Sequence, residues 1–432
     1  MKKTTRRRLP ALLLALMTAT AAAAPLQPVA VRDGLRAFAE KAAAGGTVRV
    51  AYLGGSITAS TIGWRVMTTE FLRREFPDAK VAEIFAAIPG TNSLLGACRV
   101  REQVLARKPD LLFVEFAVNN DSLPPEDIRE SVEGIVLQTR RECPGAGICF
   151  VHTANERMIT AAYANGRASV SAQNMDAVAK RHGIPSVHLG IEIARLAAEG
   201  RLVAKGPAQN LDADGRDAQG RVVFTSDGIH PLLAGHKLYA SVLEPALREM
   251  FKAAAVTRPA PAPLTDAPWD NAGIAPVAPL ERAGVWERIP YGDNRTDWQP
   301  RALTPEPWVA TSAGATLTAA FNGTRVGLVG LKGPDNGRFR VTVDKLPPVT
   351  GTFFDMFSTE GRYRLTAWWF PQKLAPGPHT LRVELLDGKT EPVDKKGILT
   401  RRGYTPKDPS AFAPNNLYLC GILLKDAREQ TR

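Results

Sequence analysis

The chain has 432 residues, of which 44% are hydrophobic and 23% charged, a balance that excludes a disordered or fibrous protein. Its formal charge is +12, but no basic block with interleaved aromatic residues accompanies that charge, so we do not expect a nucleic-acid partner. A chain of this length folds more readily as two domains than as one.

The first 24 residues have the layout of a secretory signal peptide. The basic segment Lys2–Arg8 precedes an apolar stretch, Ala11–Met17, and small residues follow up to Ala24. Because a membrane span takes about 20 apolar residues, we expect cleavage and a periplasmic or extracellular protein with no membrane span. Arg6 and Arg7 also permit twin-arginine export, so the route stays open. The segment holds five basic residues and no acid, which leaves +7 for the remainder.

Residues 30–253 alternate short apolar runs with longer amphipathic stretches, and this alternation predicts an α/β domain with a parallel sheet covered by helices. The predicted strands are Thr47–Leu53, Lys80–Ala87, Asp110–Val118, Gly147–Thr153 and Ile184–Leu189. The predicted helices are Trp64–Phe76, Leu94–Arg107, Pro125–Arg141, Ser169–Arg181, Ile191–Ala198 and Leu232–Phe251.

Residues 254–268 alternate Pro with Ala and indicate an extended linker. In residues 269–432 the apolar pattern changes to period two, with turn sequences such as GPDNG between the runs. This pattern predicts a carboxy-terminal β-sandwich. Its clearest predicted strands are Thr316–Phe321, Arg325–Leu331, Arg338–Val343 and His379–Leu386.

The first predicted strand runs into a glycine-rich turn, Leu53–Thr58, which carries Ser56. Such a turn exposes the hydroxyl, and a backbone N–H at a helix start can hold a developing oxyanion. A helix cap is the alternative explanation for this serine.

The next two strands also end in residues that can meet a substrate. Gly90 lets the backbone approach a ligand closely, although an ordinary turn glycine looks the same. Asn119 follows the apolar run LLFVEFAV, and its amide can donate to an oxyanion or form a cap or Asx turn instead.

An aspartate and a histidine stand three residues apart in TSDGIHP, residues 225–231. Asp227 can orient the imidazole of His230, whose other nitrogen can then serve as general base to a serine. These residues and the three above all follow predicted strands. They therefore share the carboxyl edge, where open α/β sheets place their sites, and separate capping roles at every position are a poor explanation.

The segments GGSIT, IPGTNS, AVNN and SDGIHP resemble, in this order, the four sequence blocks of the SGNH/GDSL hydrolases, a flavodoxin-like three-layer α/β/α family of serine esterases. The resemblance covers residues 30–253 and implies that Ser56 is the nucleophile and that Asp227 and His230 complete a triad. It also implies an oxyanion hole made by the N–H groups of Ser56 and Gly90 and the side chain of Asn119. This chemistry needs no metal and no cofactor.

Three positions depart from the family pattern. Gly55 stands where the name-giving motif has Asp, Ala117 replaces the Gly of the third block, and Asn120 replaces its Asp. None of these changes removes a catalytic group. The GGSIT variant is similar to extracellular members that act on acylated carbohydrates.

Other side chains near the same edge are candidates for substrate contact. His152 lies at the end of the fourth predicted strand and Glu156 follows it. Trp64 follows the serine turn, where it could line the site or belong to the core. The remaining histidines of this region are expected to be structural: His182, His188 and His236.

The four cysteines give no metal site, because no Cys/His set has zinc-ligand spacing. Cys143 and Cys149 could close a short disulfide loop in an oxidising compartment, which the sequence leaves open. Cys98 and Cys420 lie in apolar runs and are expected to be buried thiols.

The segment FNGTRVGLVGLKGPDNGRFRVTVD resembles jelly-roll modules appended to bacterial carbohydrate esterases. Trp308, Trp368 and Trp369 in this part of the chain could stack on sugars or belong to the sandwich core.

These observations favour an exported serine esterase that removes small acyl groups, most simply acetyl, from an acylated poly- or oligosaccharide. A polysaccharide O-acyltransferase could use the same site, provided that the site excludes water. A non-catalytic carbohydrate-binding protein would have no need for a charge-oriented base beside a hydroxyl. A lipase or thioesterase lacks support, because no long apolar lid segment separates the strands.

Overall fold

The computed structural model describes residues 26–254, 256, 259–290, 292–293, 295 and 306–426. The signal peptide predicted for residues 1–24 lies outside the described residues. Within the described ranges, no helix is long and apolar enough to cross a membrane.

The helices are α1 (Arg36–Ala43), α2 (Ser56–Ala59), α3 (Trp64–Glu75), α4 (Ser93–Gln103), α5 (Pro125–Glu142), α6 (Val170–His182), α7 (Gly190–Ala198), α8 (Leu233–Lys252) and α9 (Lys395–Thr400). The strands of the amino-terminal domain are β1 (Val29–Ala30), β2 (Gly46–Gly54), β3 (Ala79–Ala87), β4 (Leu111–Glu115), β5 (Gly147–His152), β6 (Ser186–His188), β7 (Leu202–Lys205) and β8 (Val222–Thr225). The strands of the carboxy-terminal domain are β9 (Gly273–Pro276), β10 (Glu281–Ala283), β11 (Trp286–Arg288), β12 (Trp308–Ala310), β13 (Thr316–Asn322), β14 (Arg325–Lys332), β15 (Arg338–Val343), β16 (Val349–Thr352), β17 (Arg364–Trp369), β18 (Pro378–Leu385) and β19 (Leu417–Lys425).

The amino-terminal domain is built on one mostly parallel sheet with the strand order β3-β2-β4-β5-β6, to which β1 adds an antiparallel edge. Taken in chain order, the parallel strands follow the flavodoxin-like order 2-1-3-4-5. Helices α1, α3 and α8 pack together on one face, and α4, α5 and α6 pack on the other. The predicted three-layer α/β/α fold is confirmed.

The strand order reverses between β2 and β4, which places a crevice at their carboxyl ends. The predicted strand Asp110–Val118 is shorter in the structure, because the chain leaves the sheet after Glu115 and turns through residues 117–120. That turn carries Asn119 to the crevice.

The carboxy-terminal domain consists of two antiparallel sheets, β10-β13-β18-β15-β16 and β11-β12-β19-β14-β17, with β9 paired to β19. Strands β13 and β15 alternate buried and partly exposed residues, as the period-two pattern predicts. The predicted β-sandwich is confirmed. Strands β14 and β19, by contrast, are buried along nearly their whole length.

The two domains share a continuous core, which explains why strands β14 and β19 are buried on both faces. β9 and β19 pack against α4, and the indole of Trp269 is fully buried at the junction, where it meets Trp369 edge to face. Part of the segment predicted as a linker is docked as well, since the carboxylate of Glu133 accepts the backbone N–H groups of Leu264 and Thr265.

The four cysteines are all buried free thiols, so the disulfide considered for Cys143 and Cys149 is absent. Cys143 ends helix α5 with its Sγ 3.6 Å from the carbonyl of Leu105, whereas Cys149 lies inside strand β5. The short loop between them therefore spans a helix end and a buried strand.

The three tryptophans considered for sugar stacking, Trp308, Trp368 and Trp369, are partly buried against protein. Trp368 meets Phe339 edge to face, and the guanidinium of Arg282 lies over Trp308.

Candidate active site

Ser56 is the first residue of α2, directly after strand β2. Gly55 before it is extended, with φ −100° and ψ −151°, so the chain bends from strand to helix at the serine. The bend lies beside the crevice between β2 and β4.

The structure brings Ser56, His230 and Asp227 into one hydrogen-bonded line. Ser56 Oγ lies 2.8 Å from His230 Nε2, and His230 Nδ1 lies 2.6 Å from Asp227 Oδ2. The histidine and aspartate side chains are 49% and 51% exposed. The line is therefore open to molecules in solution.

The carboxylate of Asp227 is fixed from two directions. Its Oδ1 accepts the backbone N–H groups of Ile229 and His230, both at 2.8 Å. Partial burial alone would raise the pKa of Asp227, but the hydrogen bonds from the side chain and backbone of His230 and from Ile229 hold it below its usual value. Because an ionised carboxylate only accepts, the imidazole must donate through Nδ1, which leaves Nε2 to accept from Ser56.

Gly228 makes the spacing of this pair possible. Its φ of +84° reverses the chain between Asp227 and His230, and a Cβ there would lie 2.8 Å from Glu156 Oε2. The backbone N–H of Glu156 also donates to the Gly228 carbonyl at 2.9 Å. Glu156, a predicted substrate contact, is thus a half-exposed neighbour of the loop that carries the triad residues.

The side chain of Asn119 lies against the serine turn. A Cβ on Gly55 would stand 2.7 Å from Asn119 Cγ and 3.3 Å from its Nδ2. The glycine that replaces the aspartate of the family motif therefore leaves the space that the Asn119 carboxamide occupies.

Gly90 lies on the turn after β3, the strand on the other side of β2. It has a φ of +73°, which favours glycine, and open space on the side where a Cβ would be. The backbone N–H of Ile88 donates to the Gly54 carbonyl at 3.0 Å, which ties this turn to the end of β2.

Trp64 does not line the site. Its ring is fully buried and packs edge to face on Tyr52 and Phe113. The sequence left open whether Trp64 lines the site or belongs to the core, and in the structure it belongs to the core.

His152 is fully buried and belongs to a polar cluster, so it offers no surface to a substrate in this structure. Its Nε2 lies 3.2 Å from one oxygen of Asp176, and His188 Nε2 lies 2.5 Å from the other. Burial alone would raise the pKa of Asp176, but the two histidines hold it well below its usual value.

This cluster is the place in the described residues where three potential metal ligands come together, with their ligand atoms within 4.8 Å of one another. Sequence spacing did not reveal it, because Asp176 lies on α6 and the two histidines end neighbouring strands. The guanidinium of Arg32 already stands 3.5 Å from Asp176, and Ser186 Oγ donates to the same carboxylate at 2.7 Å. The carboxylate is thus engaged with protein donors.

The other two histidines expected to be structural are buried. His182 Nε2 lies 2.7 Å from Glu133, and His236 Nδ1 accepts the backbone N–H of Trp64 at 3.3 Å.

Two buried charged residues under the serine turn escaped the sequence analysis. Glu115, the last residue of β4, accepts hydrogen bonds from the hydroxyls of Thr58 and Thr153, both at 2.7 Å. Arg99 of α4 donates to the backbone carbonyls of Gly54 and Ala86. The available signal was a single acid inside the apolar run LLFVEFAV.

Residues 52–238 match the model of the GDSL-like lipase/acylhydrolase family, a stretch that includes Ser56, Asn119 and the Asp227–His230 loop. No curated protein matches the chain.

Among solved structures, a two-domain esterase (CEX) active on acetylated mannans, co-crystallised with mannopentaose, has a TM-score of 0.69 and 20% identity, covering 91% of this chain and 96% of that one. A second structure of an esterase of the same description gives a TM-score of 0.68 at the same identity and coverage. The likeness extends over both domains and shows that the chains share their fold.

Proposed function

We propose that this chain, whose residues 52–238 form a domain of the GDSL-like lipase/acylhydrolase family, is an exported serine esterase that removes small acyl groups, chiefly acetyl, from an acylated carbohydrate. The observation that carries the proposal is the line of hydrogen bonds from Asp227 through His230 to Ser56 at the open edge of the sheet. Export rests on the signal-like sequence of residues 1–24.

Acylation begins when the Ser56 hydroxyl attacks the ester carbonyl and His230 Nε2 takes its proton. The carbonyl oxygen becomes an oxyanion, and the donors available to it are the N–H groups of Ser56 and Gly90 and the carboxamide of Asn119. The carboxylate of Asp227 stabilises the imidazolium. The imidazolium then protonates the leaving sugar oxygen, and an acyl-serine remains.

Deacylation repeats these steps with water. His230 takes a proton from the water as it attacks the acyl-serine, and the same donors hold the second oxyanion. Collapse of this intermediate returns the proton to Ser56 Oγ and releases the acid. The half-exposed side chains of the triad favour hydrolysis, because transfer to a sugar acceptor requires a site that excludes water.

A carbohydrate substrate is supported by the two-domain fold, which the chain shares with an esterase active on acetylated mannans. The open position of Ser56 suits an acyl group that projects from a polymer, since the rest of the polymer can stay outside the crevice. A small acyl group is proposed because that esterase acts on acetylated substrates.

The test is to incubate the purified protein with acetylated glycans and with aryl esters of different chain length, and to measure the released acid. Acetate release from a glycan, lost in Ser56→Ala, is the expected result. If Ser56→Ala released acid at the wild-type rate, the assignment of the nucleophile would be wrong. If only long-chain esters were cleaved, the carbohydrate substrate would be wrong.

A further inference from the structure

Two buried ionisable side chains, Arg99 and Glu115, lie under the turn that carries Ser56, and each is 1% exposed. In the described part of the chain, no carboxylate lies at salt-bridge distance from Arg99. Glu115 accepts hydrogen bonds from the hydroxyls of Thr58 and Thr153. Burying such groups is costly, so their presence calls for a role beyond packing.

The two side chains hold the serine turn on either side of Ser56. Arg99 Nη2 donates to the carbonyl oxygen of Gly54, the last residue of β2, at 3.3 Å. Glu115 accepts a hydrogen bond at 2.7 Å from the hydroxyl of Thr58 in α2. Ser56 therefore lies between two residues that are each bound to a buried side chain.

The guanidinium also reaches the neighbouring strand. Arg99 Nη1 donates to the carbonyl of Ala86, at the end of β3, and to Gln103 Oε1 at 2.8 Å. Since β2 leads to Ser56 and β3 leads to Gly90, one side chain ties together the two strand ends that precede the proposed backbone oxyanion donors.

Burial lowers the pKa of Arg99 to about 9, so the guanidinium is still protonated at neutral pH. Burial raises the pKa of Glu115, an effect opposed by the hydrogen bonds from Thr153 and Thr58.

We propose that Arg99 and Glu115 are positioning residues, which clamp the serine turn through Gly54 before Ser56 and Thr58 after it, and thereby aim the Ser56 N–H at the oxyanion. The inference rests on the proposed function, in which the Ser56 N–H is an oxyanion donor. A turn held on both sides by buried hydrogen bonds cannot rotate freely as charge develops on the substrate, and such preorganisation is a major source of catalytic power.

The test compares Glu115→Gln and Arg99→Met with a matched control, Glu133→Gln. Glu133 is a fully buried carboxylate that binds His182 and the Leu264–Thr265 segment instead. The measurements are kcat and KM for a small aryl acetate and the Ki of an arylboronic acid, which forms a tetrahedral adduct with a reactive serine. We expect kcat to fall about 10–100-fold in both clamp variants, with KM nearly unchanged and the boronate affinity reduced by a similar factor. The control keeps kcat and boronate affinity, whatever its thermal stability.

Equal kcat and equal boronate affinity in the clamp variants and the control would overturn the inference. If Arg99→Met fails to fold, Arg99→Lys replaces it in the test, because lysine keeps the charge but cannot reach the carbonyls of Gly54 and Ala86 together. If Glu115→Gln fails, Thr153→Val serves, because it removes one hydroxyl that holds the carboxylate. Wild-type kcat in these substitutes would likewise refute the clamp. Full turnover in Ser56→Ala would instead refute the proposed function, so the two failures are distinguishable.

Discussion

Replacing Gly55 by alanine puts a methyl group where the Asn119 carboxamide now lies. The added Cβ would overlap Asn119 Oδ1 and stand 2.7 Å from Asn119 Cγ, whereas ordinary contact begins at 3.4 Å, so the amide must withdraw by more than about 1 Å or rotate out of the crevice. Displacement of a catalytic group by about 1 Å can cost a factor of about 10², and loss of one oxyanion donor costs about 10²–10³. We therefore expect kcat for an aryl acetate to fall about 100-fold in Gly55→Ala.

The backbone itself gives no reason for such a loss, because the φ of −100° at Gly55 suits alanine. Gly145→Ala is the matched control, since Gly145 is exposed with open space around it. A double mutant separates the two explanations for a loss. If the methyl group acts through Asn119, then Gly55→Ala in an Asn119→Ala background should cost little more than Asn119→Ala alone. Fully additive losses, or wild-type turnover in Gly55→Ala, would refute the placement of Asn119 in the oxyanion hole.

Three further predictions follow from other contacts. Asp227→Asn should reduce kcat by about 10³–10⁴-fold with little change in thermal stability, because the amide can no longer enforce the Nδ1–H form of His230; a loss below tenfold would mean that another group orients the imidazole. Burial, reinforced by His230, lowers the pKa of His236 to about 4, so between pH 6.5 and 4 the unfolded chain binds a proton that the folded protein does not. The free energy of unfolding should therefore fall by about 3 kcal/mol over that range as the pH falls, and urea titrations of His236→Gln should show a correspondingly weaker pH dependence; equal slopes would contradict the assignment. Lys425→Met removes the 2.9 Å partner of the buried Glu130 carboxylate, which keeps Lys373 at 3.8 Å and the indole N–H of Trp269, and should cost about 1–3 kcal/mol. Lys425→Met/Glu130→Gln should cost less than the single change, and the reverse order would show that the pair is not coupled.

The parallel sheet and the hydrogen-bonded line of Ser56, His230 and Asp227 could be predicted because their signals are local. Apolar runs fix the strands, strand ends share one edge, and Asp227 and His230 are close in sequence, so that only Ser56 had to be brought from elsewhere. The antiparallel second domain was predictable for the same reason, from period-two runs such as Arg338–Val343.

What could not be predicted depends on partners far apart in the chain. The bond from Arg99 to Gly54 spans 45 residues, and the anchoring of Leu264 by Glu133 spans 131. A single sequence does not reveal which helical arginine turns inward. Nor does it show that His152 faces Asp176 rather than the crevice, because strand alternation gives the side of the sheet but not the neighbours on α6.

The position of β19 bears on how the protein is made. This strand ends the described chain, yet it lies inside its sheet between β12 and β14 and also covers α4 of the first domain, where Cys98 Sγ stands 3.9 Å from the Leu424 carbonyl. During synthesis from the amino terminus, the apolar side of α4 stays uncovered until β19 emerges. Premature termination shortly before residue 417 would remove the central strand of one sheet and leave the apolar side of α4 exposed and prone to aggregation. Nonsense mutations late in the reading frame should therefore be nearly as damaging as early ones.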